Sequence, residues 1–178
     1  SKLKLKKELS SLSKDEIIEV VARAYSARKE FRDYFEFFLD PDADKLYEKY
    51  RDAILHEIGR GQRKSKARIS EIKKLIKNFD SFDAGAEYGR NLRLFAIDNL
   101  IDRERYAWYS DTLINGTARL TLDLIDFADK NGLVDSTMKM IEKNIGDTSR
   151  GNKNFKKFIL HAIGDTLSDI PVNNPYRP

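Results

Sequence analysis

The chain has 178 residues, 40% of them hydrophobic, which suits one compact domain with its own core. It contains no cysteine, so disulfides, thiolate nucleophiles and cysteine-type zinc sites are excluded, and a reducing cytosol is compatible with the composition. Thirty-three basic and 29 acidic residues leave a formal net charge of +4, so a basic binding surface would require a local concentration of charge.

The lysine-rich start of the chain does not have the pattern of a signal peptide. Polar and acidic residues follow Lys7 where an apolar stretch of about 7 to 15 residues is required. The longest uninterrupted apolar run, Leu94 to Ile97, has four residues, whereas a membrane-spanning helix requires about 20. We therefore expect no membrane partner and a cytoplasmic location.

Helix start and stop signals recur along the chain. Ser13 and Glu16 have the spacing of a capping box, Asp40 and Pro41 can end one helix and begin the next, and Gly59 can end that second helix. Apolar residues recur with a helical period between these signals. The predicted helices are 2–9, 14–28, 30–39, 41–58, 66–79, 84–101, 103–129, 136–145 and 153–167.

Aromatic residues crowd the third predicted helix. Phe31, Phe35 and Phe38 form one stripe at i, i+4 and i+7, and Tyr34 and Phe37 widen it until little of the helix is polar. We expect this helix to be a central packing element. The alternative is a groove that receives a partner's helix or peptide.

The longest predicted helix, 103–129, would form a spine for the domain. Beyond it, Gly132 is suited to a left-handed cap and Leu133 can pack back on the helix end. Asp135 or Ser136 is predicted to cap the helix that follows.

These elements predict an all-helical single domain over residues 1–170. Short loops favour antiparallel helix pairs, arranged as a short superhelical stack or as an irregular helical bundle. The proline-containing segment 171–178 cannot continue a helix, and we expect it to be extended or disordered.

Four segments in this order resemble a family of small all-helical bacterial proteins whose function is unassigned. They are "KLKLKKELSSLSKDEIIEVV", "YFEFFLDPDADKLYEKY", "KARISEIKKLIKNF" and "FADKNGLVD". The resemblance covers Lys2 to about Ile145, and its motifs are caps, turns and core stripes. It implies a helical fold and a cytoplasmic location, and it supplies no catalytic residue.

The familiar catalytic and metal-binding patterns are missing. His56 and His161 have no second histidine or glutamate at ligand spacing, so the sequence predicts no metal site. No phosphate loop or nucleophile elbow occurs, so we predict no cofactor and no catalytic residue. Asp98, Asp102 and Glu104 lie close together among arginines, and we interpret them as solvated ion pairs.

Positive charge is concentrated in residues 60–77, which contain eight basic residues and one acid, Glu71. Such a local excess is expected where a protein contacts phosphates or an acidic surface. The alternative is a solvated connector, since the segment has no aromatic residue on which bases could stack. The predicted polyanion contacts are Arg60, Arg63, Lys64, Lys66 and Arg68.

The favoured functional interpretation is a non-catalytic helical module that binds a macromolecular partner, namely another protein. The runner-up is binding of nucleic acid or another polyanion through residues 60–68. A third interpretation, an enzyme whose site is assembled from residues distant in sequence, also stays open.

Overall fold

The computed structural model describes residues 1–59, 67–103, 111–146 and 153–168. All regular secondary structure in those ranges is helical, which confirms the predicted all-helical class. Backbone contacts divide the chain into two compact units, Ser1–Asp42 and Ala43–Pro178. The single domain over 1–170 stays a prediction, and the predicted tail 171–178 lies outside the described residues.

The first unit contains α1 (Lys2–Ser10), α2 (Lys14–Ala27) and α3 (Lys29–Leu39). The predicted capping box is confirmed, because the Ser13 hydroxyl accepts from the Glu16 N–H at 3.3 Å and the Glu16 carboxylate accepts from the Ser13 N–H at 2.7 Å. The first of these bonds satisfies an otherwise free N–H in the first turn of α2.

The second unit contains six α-helices and one π-helical turn among its described residues. The α-helices are α4 (Ala43–Ile58), α5 (Ile69–Asp80), α6 (Ala86–Arg103), α7 (Asp111–Lys130), α8 (Val134–Ile141) and α9 (Lys153–Ser168), and the π-helical turn is Glu142–Gly146. The predicted helix 103–129 corresponds to α7 from Asp111 onward, and its part 104–110 lies outside the described residues.

Two glycines end helices in the second unit as the sequence predicts. Gly59 and Gly132 both have φ of +69°, a conformation that costs a residue with a Cβ more than it costs glycine. At the end of α7 the Leu133 N–H bonds to the Ala128 carbonyl at 2.8 Å, and the Gly132 N–H bonds to the Asp129 carbonyl at 3.3 Å. This pair of bonds is the Schellman arrangement.

The predicted cap of α8 is wrong. The helix begins at Val134, so Asp135 and Ser136 lie inside its first turn, and Leu133 precedes it without a side-chain cap. The Ser136 hydroxyl instead donates to the Leu133 carbonyl at 3.0 Å and accepts from Arg90 Nη1 at 3.2 Å. A tertiary contact with α6 therefore uses the group that was expected to cap the helix.

The buried hydrophobic side chains that the structure describes all lie in the second unit. Within it, α6 packs against α4, α5 and α7, and α7 also packs against α8 and α9. Burial of each large apolar side chain contributes about 1.5 to 3 kcal/mol. The largest fully buried side chains are Ile54, Ile58, Ile72, Phe79, Leu92, Ile97, Leu100, Leu120, Leu124, Ile145, Phe155 and Ile159. None of the described helices has the length and apolarity needed to cross a membrane.

Candidate functional site

Four of the five predicted polyanion contacts, Arg60, Arg63, Lys64 and Lys66, lie outside the described residues. The fifth, Arg68, forms a two-point ion pair with Glu57 of α4, with Nε–Oε2 at 2.6 Å and Nη2–Oε1 at 2.9 Å. The Arg68 N–H also bonds to the Glu57 carbonyl at 3.1 Å. Arg68, the residue before α5, is therefore bound to the last turn of α4.

The two histidines do not form a metal centre with described neighbours. His56 is exposed, with Nδ1 3.5 Å from the Glu57 carboxylate, and His161 is exposed on α9. Among residues 1–59, 67–103, 111–146 and 153–168, no three or more His, Asp or Glu side chains are grouped so that they could hold a metal ion.

The expectation that the aromatic helix is a central packing element is wrong. No residue of α3 is buried, and Phe31 is 50% exposed and Phe38 67% exposed. Tyr34 and Leu39 are also exposed, and Phe35 and Phe37 are half-buried. The widest apolar surface predicted from the sequence is thus largely open to solvent.

Four of these rings form one connected group, which we call the aromatic stripe: Phe31, Tyr34, Phe35 and Phe38. Phe35 lies at its centre, with ring centroids 6.3 Å from Phe31, 5.6 Å from Tyr34 and 6.4 Å from Phe38. These separations lie within the range of about 4.5 to 7 Å in which aromatic rings attract one another.

Polar residues of α3 join it to α2. The Tyr25 hydroxyl of α2 donates to the Glu36 carboxylate at 3.2 Å, and the Arg32 guanidinium lies over the Tyr25 ring at 5.7 Å. Arg32 and Glu36 are one turn apart on a side of α3 that does not carry the stripe. These two contacts between α2 and α3 therefore do not involve the rings of the aromatic stripe.

A buried arginine holds three helices of the second unit together. Arg93 of α6 is 5% exposed and donates from Nη1 and Nη2 to the two carboxylate oxygens of Asp80, at 2.9 and 2.7 Å. Its Nε donates to Asp123 of α7 at 2.9 Å, and its guanidinium carbon lies 3.9 Å from the ring centroid of Phe127. Nη1 also donates to the Gly89 carbonyl at 3.2 Å.

Electrostatics keep this arginine charged. Burial lowers the pKa of Arg93, but the hydrogen bonds and charge of Asp80, followed by those of Asp123, outweigh burial and hold the pKa above its ordinary value. A buried cation with two hydrogen-bonded carboxylates avoids the cost of an unpaired charge. The Arg93 group, consisting of Arg93, Asp80 and Asp123, is thus a fixed structural feature.

A cavity of about 270 Å³ opens beside the Arg93 group. Apolar side chains of Ile76 and Leu120 line it, together with the Arg93 group and two lysines of α5, Lys73 and Lys77. Both lysines are exposed. The cavity therefore combines apolar walls with a fixed ion-pair network and two ammonium groups.

A second polar cluster corrects the interpretation of Asp98 as part of a solvated ion-pair group. Asp98 is half-buried, and it accepts a hydrogen bond from Asn144 of the π-helical turn at 3.0 Å. Burial raises the pKa of Asp98 to about 6, the Asn144 bond and the charge of Lys156 lower it, and the charge of Asp102 raises it. Lys156 of α9 is itself only 5% exposed. Glu104 lies outside the described residues.

Sequence reasoning missed the Arg93 group because its members are far apart along the chain. Asp80 is 13 residues and Asp123 is 30 residues from Arg93. A usable signal was present in "NLRLFAI", where a lone arginine stands between leucines on a predicted helix. Such a residue is rarely buried unless it is paired.

Comparison with known proteins identifies a family but no function. A model described as a family of unknown function, DUF6155, matches residues 1–158. No curated protein and no solved structure matches the chain.

Proposed function

Because the chain belongs to the DUF6155 family, whose function is unknown, we propose a function from the geometry of α3. The chain is a non-catalytic helical interaction module, and the aromatic stripe binds a partner protein. The observation that carries this proposal is the exposure of Phe31 and Phe38 at 50% and 67% on a helix with no buried residue.

The chemistry of the stripe suits a protein partner. Exposed apolar residues that form a connected patch mark interaction surfaces, whereas single exposed residues are ordinary. Aromatic residues are enriched at interface centres because they cover a large area with few rotatable bonds. Leu39, 77% exposed, and the exposed residues Ile18 and Val20 of α2 add apolar area to the first unit.

The partner surface that fits an exposed aromatic helix is the apolar face of another helix. Aromatic side chains spaced at i, i+4 and i+7 provide the ridge that helix packing and helix-in-groove recognition use. Because the contact is apolar, its affinity should change little with salt, unlike that of a phosphate-binding surface.

The test is recovery of partners by the tagged full-length chain at two salt concentrations. The double variant Phe31→Ser, Phe38→Ser removes exposed aromatic area, and Glu30→Ser is the control because Glu30 is an exposed residue of the same helix. We expect one protein to be recovered by the parent and by Glu30→Ser at both salts, but not by the double variant. Equal recovery by all three chains would contradict the proposal.

A cytoplasmic location is part of the proposal. The absence of cysteine supports it, since a chain without disulfides has no need of an oxidising compartment. Fractionation of cells that express the chain naturally, followed by immunodetection, tests it, and recovery with secreted material would contradict it.

A second candidate function is polyanion binding through residues 60–68. The local charge favours it, because residues 60–77 carry eight basic residues against one acid, and Lys73, Lys74 and Lys77 are exposed on α5. The pairing of Arg68 with Glu57 opposes it in part, since that guanidinium already has a carboxylate partner.

Titration with a labelled DNA duplex at several salt concentrations tests this second candidate. Contacts with three to five phosphates predict a slope of roughly −3 to −5 for log affinity against log salt, and Arg63→Ala or Lys64→Ala should each reduce it by about one unit. Lys14→Ala in α2 is the control. Absence of binding at low salt, or a slope that neither variant changes, would refute polyanion binding.

A further inference from the structure

Two like charges of one helix face the cavity beside the Arg93 group. Lys73 and Lys77 stand one turn apart on α5 and both line it. Like charges at this spacing destabilise a helix by about 0.2 to 0.5 kcal/mol. A structural role for the pair would therefore need compensating carboxylates.

Both carboxylates that line the cavity accept hydrogen bonds from Arg93. Asp80 uses both oxygens for Arg93, and Asp123 accepts from Arg93 Nε. Lys73 and Lys77 form no ion pair or hydrogen bond with any residue that the structure describes. The charged lining residues, three cations and two carboxylates, thus leave one net positive charge.

The neighbouring lysine on the same helix behaves differently. Lys74 donates to the Glu71 carboxylate at 2.8 Å and does not line the cavity. The helix therefore neutralises the lysine that points elsewhere and leaves the two cavity lysines without a described counter-charge. This contrast distinguishes the cavity from a uniformly basic surface.

We infer that the cavity between α5, α6 and α7 binds a compact dianion, the phosphate monoester group of a small molecule, through Lys73 and Lys77. A phosphate monoester carries a charge close to −2 at neutral pH and presents three strong acceptor oxygens. The two ammonium groups donate to those oxygens, and the one net positive charge of the lining attracts the anion. Arg93 positions the site, because its ion pairs keep Asp80 and Asp123 from neutralising the lysines.

The size of the cavity limits the ligand. A volume of about 270 Å³ lies just below the usual range for small-molecule sites, about 300 to 1,000 Å³, so a phosphate with a short organic substituent fits. Ile76 and Leu120 supply the apolar contact for that substituent. The residues that line the cavity belong to the second unit, whereas the aromatic stripe belongs to the first.

The test is a titration of the isotope-labelled full-length chain with inorganic phosphate and with glycerol phosphate. Nuclear magnetic resonance follows the Arg93 Nε–H signal at pH 8, where the dianion dominates, and sodium chloride holds the ionic strength constant. Lys73→Gln and Lys77→Gln are the test variants. Lys74→Gln is the matched control, because it removes the same charge from the same helix outside the cavity.

We expect both ligands to shift the Arg93 signal, and Lys73→Gln and Lys77→Gln each to weaken binding by about tenfold, the effect of losing one charged hydrogen bond. Lys74→Gln should leave the affinity within about twofold of the parent. Two further ligands test which kind of anion the cavity binds. Succinate is a dicarboxylate, and a single-stranded DNA oligonucleotide presents phosphate diesters.

Binding of the phosphate monoester in preference to succinate and to the oligonucleotide supports the inference. If neither inorganic phosphate nor glycerol phosphate binds, the inference is overturned. Equal loss of affinity in all three lysine variants also overturns it, because it would indicate a general charge effect. Binding of the oligonucleotide alone would also overturn it and would favour nucleic acid. Thermal melts of the three variants confirm that each is folded.

Discussion

At the scale of single residues, Gly89 shows how closely α6 approaches α7. A Cβ at this position would lie 2.7 Å from Cζ and 3.2 Å from Cε1 of Phe127, and the Phe127 ring packs on the Arg93 guanidinium. Alanine normally stabilises a helix by up to about 1 kcal/mol relative to glycine. Overpacking costs about 1 to 3 kcal/mol, so we predict that Gly89→Ala lowers the free energy of unfolding by about 1 to 2 kcal/mol in urea denaturation.

Gly164 of α9 is the control for this substitution, because a Cβ there would lie more than 4 Å from the atoms that the structure describes around it. Gly164→Ala should raise the free energy of unfolding by up to about 1 kcal/mol. The two substitutions are chemically identical, so opposite signs would isolate the contact with Phe127. Stabilisation by both would contradict the close approach of α6 and α7.

Asp98 predicts a pH dependence of stability. Burial raises its pKa from 3.8 to about 6, so the folded chain binds this proton more tightly than the unfolded chain does. The stability that this group contributes therefore increases as pH falls through about 6, and the full contribution is present below about pH 4. The groups that face Asp98 are Asp102 on α6, Asn144 on the π-helical turn and Lys156 on α9.

Asp98→Asn tests this dependence, because asparagine keeps the shape and removes the charge. We expect the variant to be more stable than the parent by about 1 to 2 kcal/mol at pH 8, after allowance for solvent screening, and equal to it near pH 4. Asp52→Asn in α4, an exposed position, is the control. If Asp98→Asn were less stable at pH 8, the attraction of Lys156 would outweigh the cost of burial.

Individual side-chain environments were only partly predictable from the sequence. Glu16 and Gly132 act within one helix turn of their partners, so their spacing was enough to predict their roles. Asp98 is half-buried and interacts with Asn144 of the π-helical turn and Lys156 of α9, which come more than 40 residues later in the chain. No local pattern around Asp98 reports that burial.

At the scale of elements, α3 and α5 both contain phenylalanine, but the burial of the side chain differs between them. Phe79 of α5 is 1% exposed and packs on the rings of Tyr47 and Tyr50 at 6.4 and 5.4 Å. Phe38, by contrast, is 67% exposed. We predict that Phe79→Ala lowers the free energy of unfolding by about 3 to 5 kcal/mol and that Phe38→Ala changes it by less than about 0.5 kcal/mol.

Thermal and urea unfolding of both variants checks this difference. A loss above about 2 kcal/mol for Phe38→Ala would mean that the aromatic stripe is covered within the folded chain. That result would restore the central packing role that the sequence pattern favoured.

Helix positions were predictable, but the burial of each helix was not. The bounds of α2, α4 and α9 lie within two residues of the predicted ones, because caps and apolar periodicity are local. The apolar arc of α3 predicted burial, yet no residue of α3 is buried, and its polar residues Arg32 and Glu36 contact Tyr25 of α2. Periodicity shows that a face is apolar and does not show whether the chain itself covers that face.

At the scale of the whole molecule, the buried core that the structure describes begins at Leu46. The helices of the first unit contribute no buried residue. We predict that a fragment starting at Ala43 unfolds in one cooperative thermal transition within about 5 °C of the main transition of the full chain. Calorimetry of both chains checks this, and a fragment without a cooperative transition would contradict it.

The class of the fold was predictable because helix signals occur along the whole sequence. The division of contacts between Ser1–Asp42 and Ala43–Pro178 was not predictable. An Asp-Pro pair such as Asp40-Pro41 marks a junction between two helices, and the same pair can occur inside one unit or at a boundary between two units. The Arg93 group likewise depends on how α5, α6 and α7 pack. No local sequence pattern indicates tertiary packing of this kind.

Photo-crosslinking from position 38 tests most directly whether the aromatic stripe binds a partner protein. Benzoylphenylalanine replaces Phe38, and the same residue at Glu30, an exposed position of α3, is the control in cells that express the chain naturally. We predict one dominant adduct with another protein from position 38 and none from position 30. Adducts only with residues 43–178 of the same chain, or equal adducts from both positions, would contradict the proposed function.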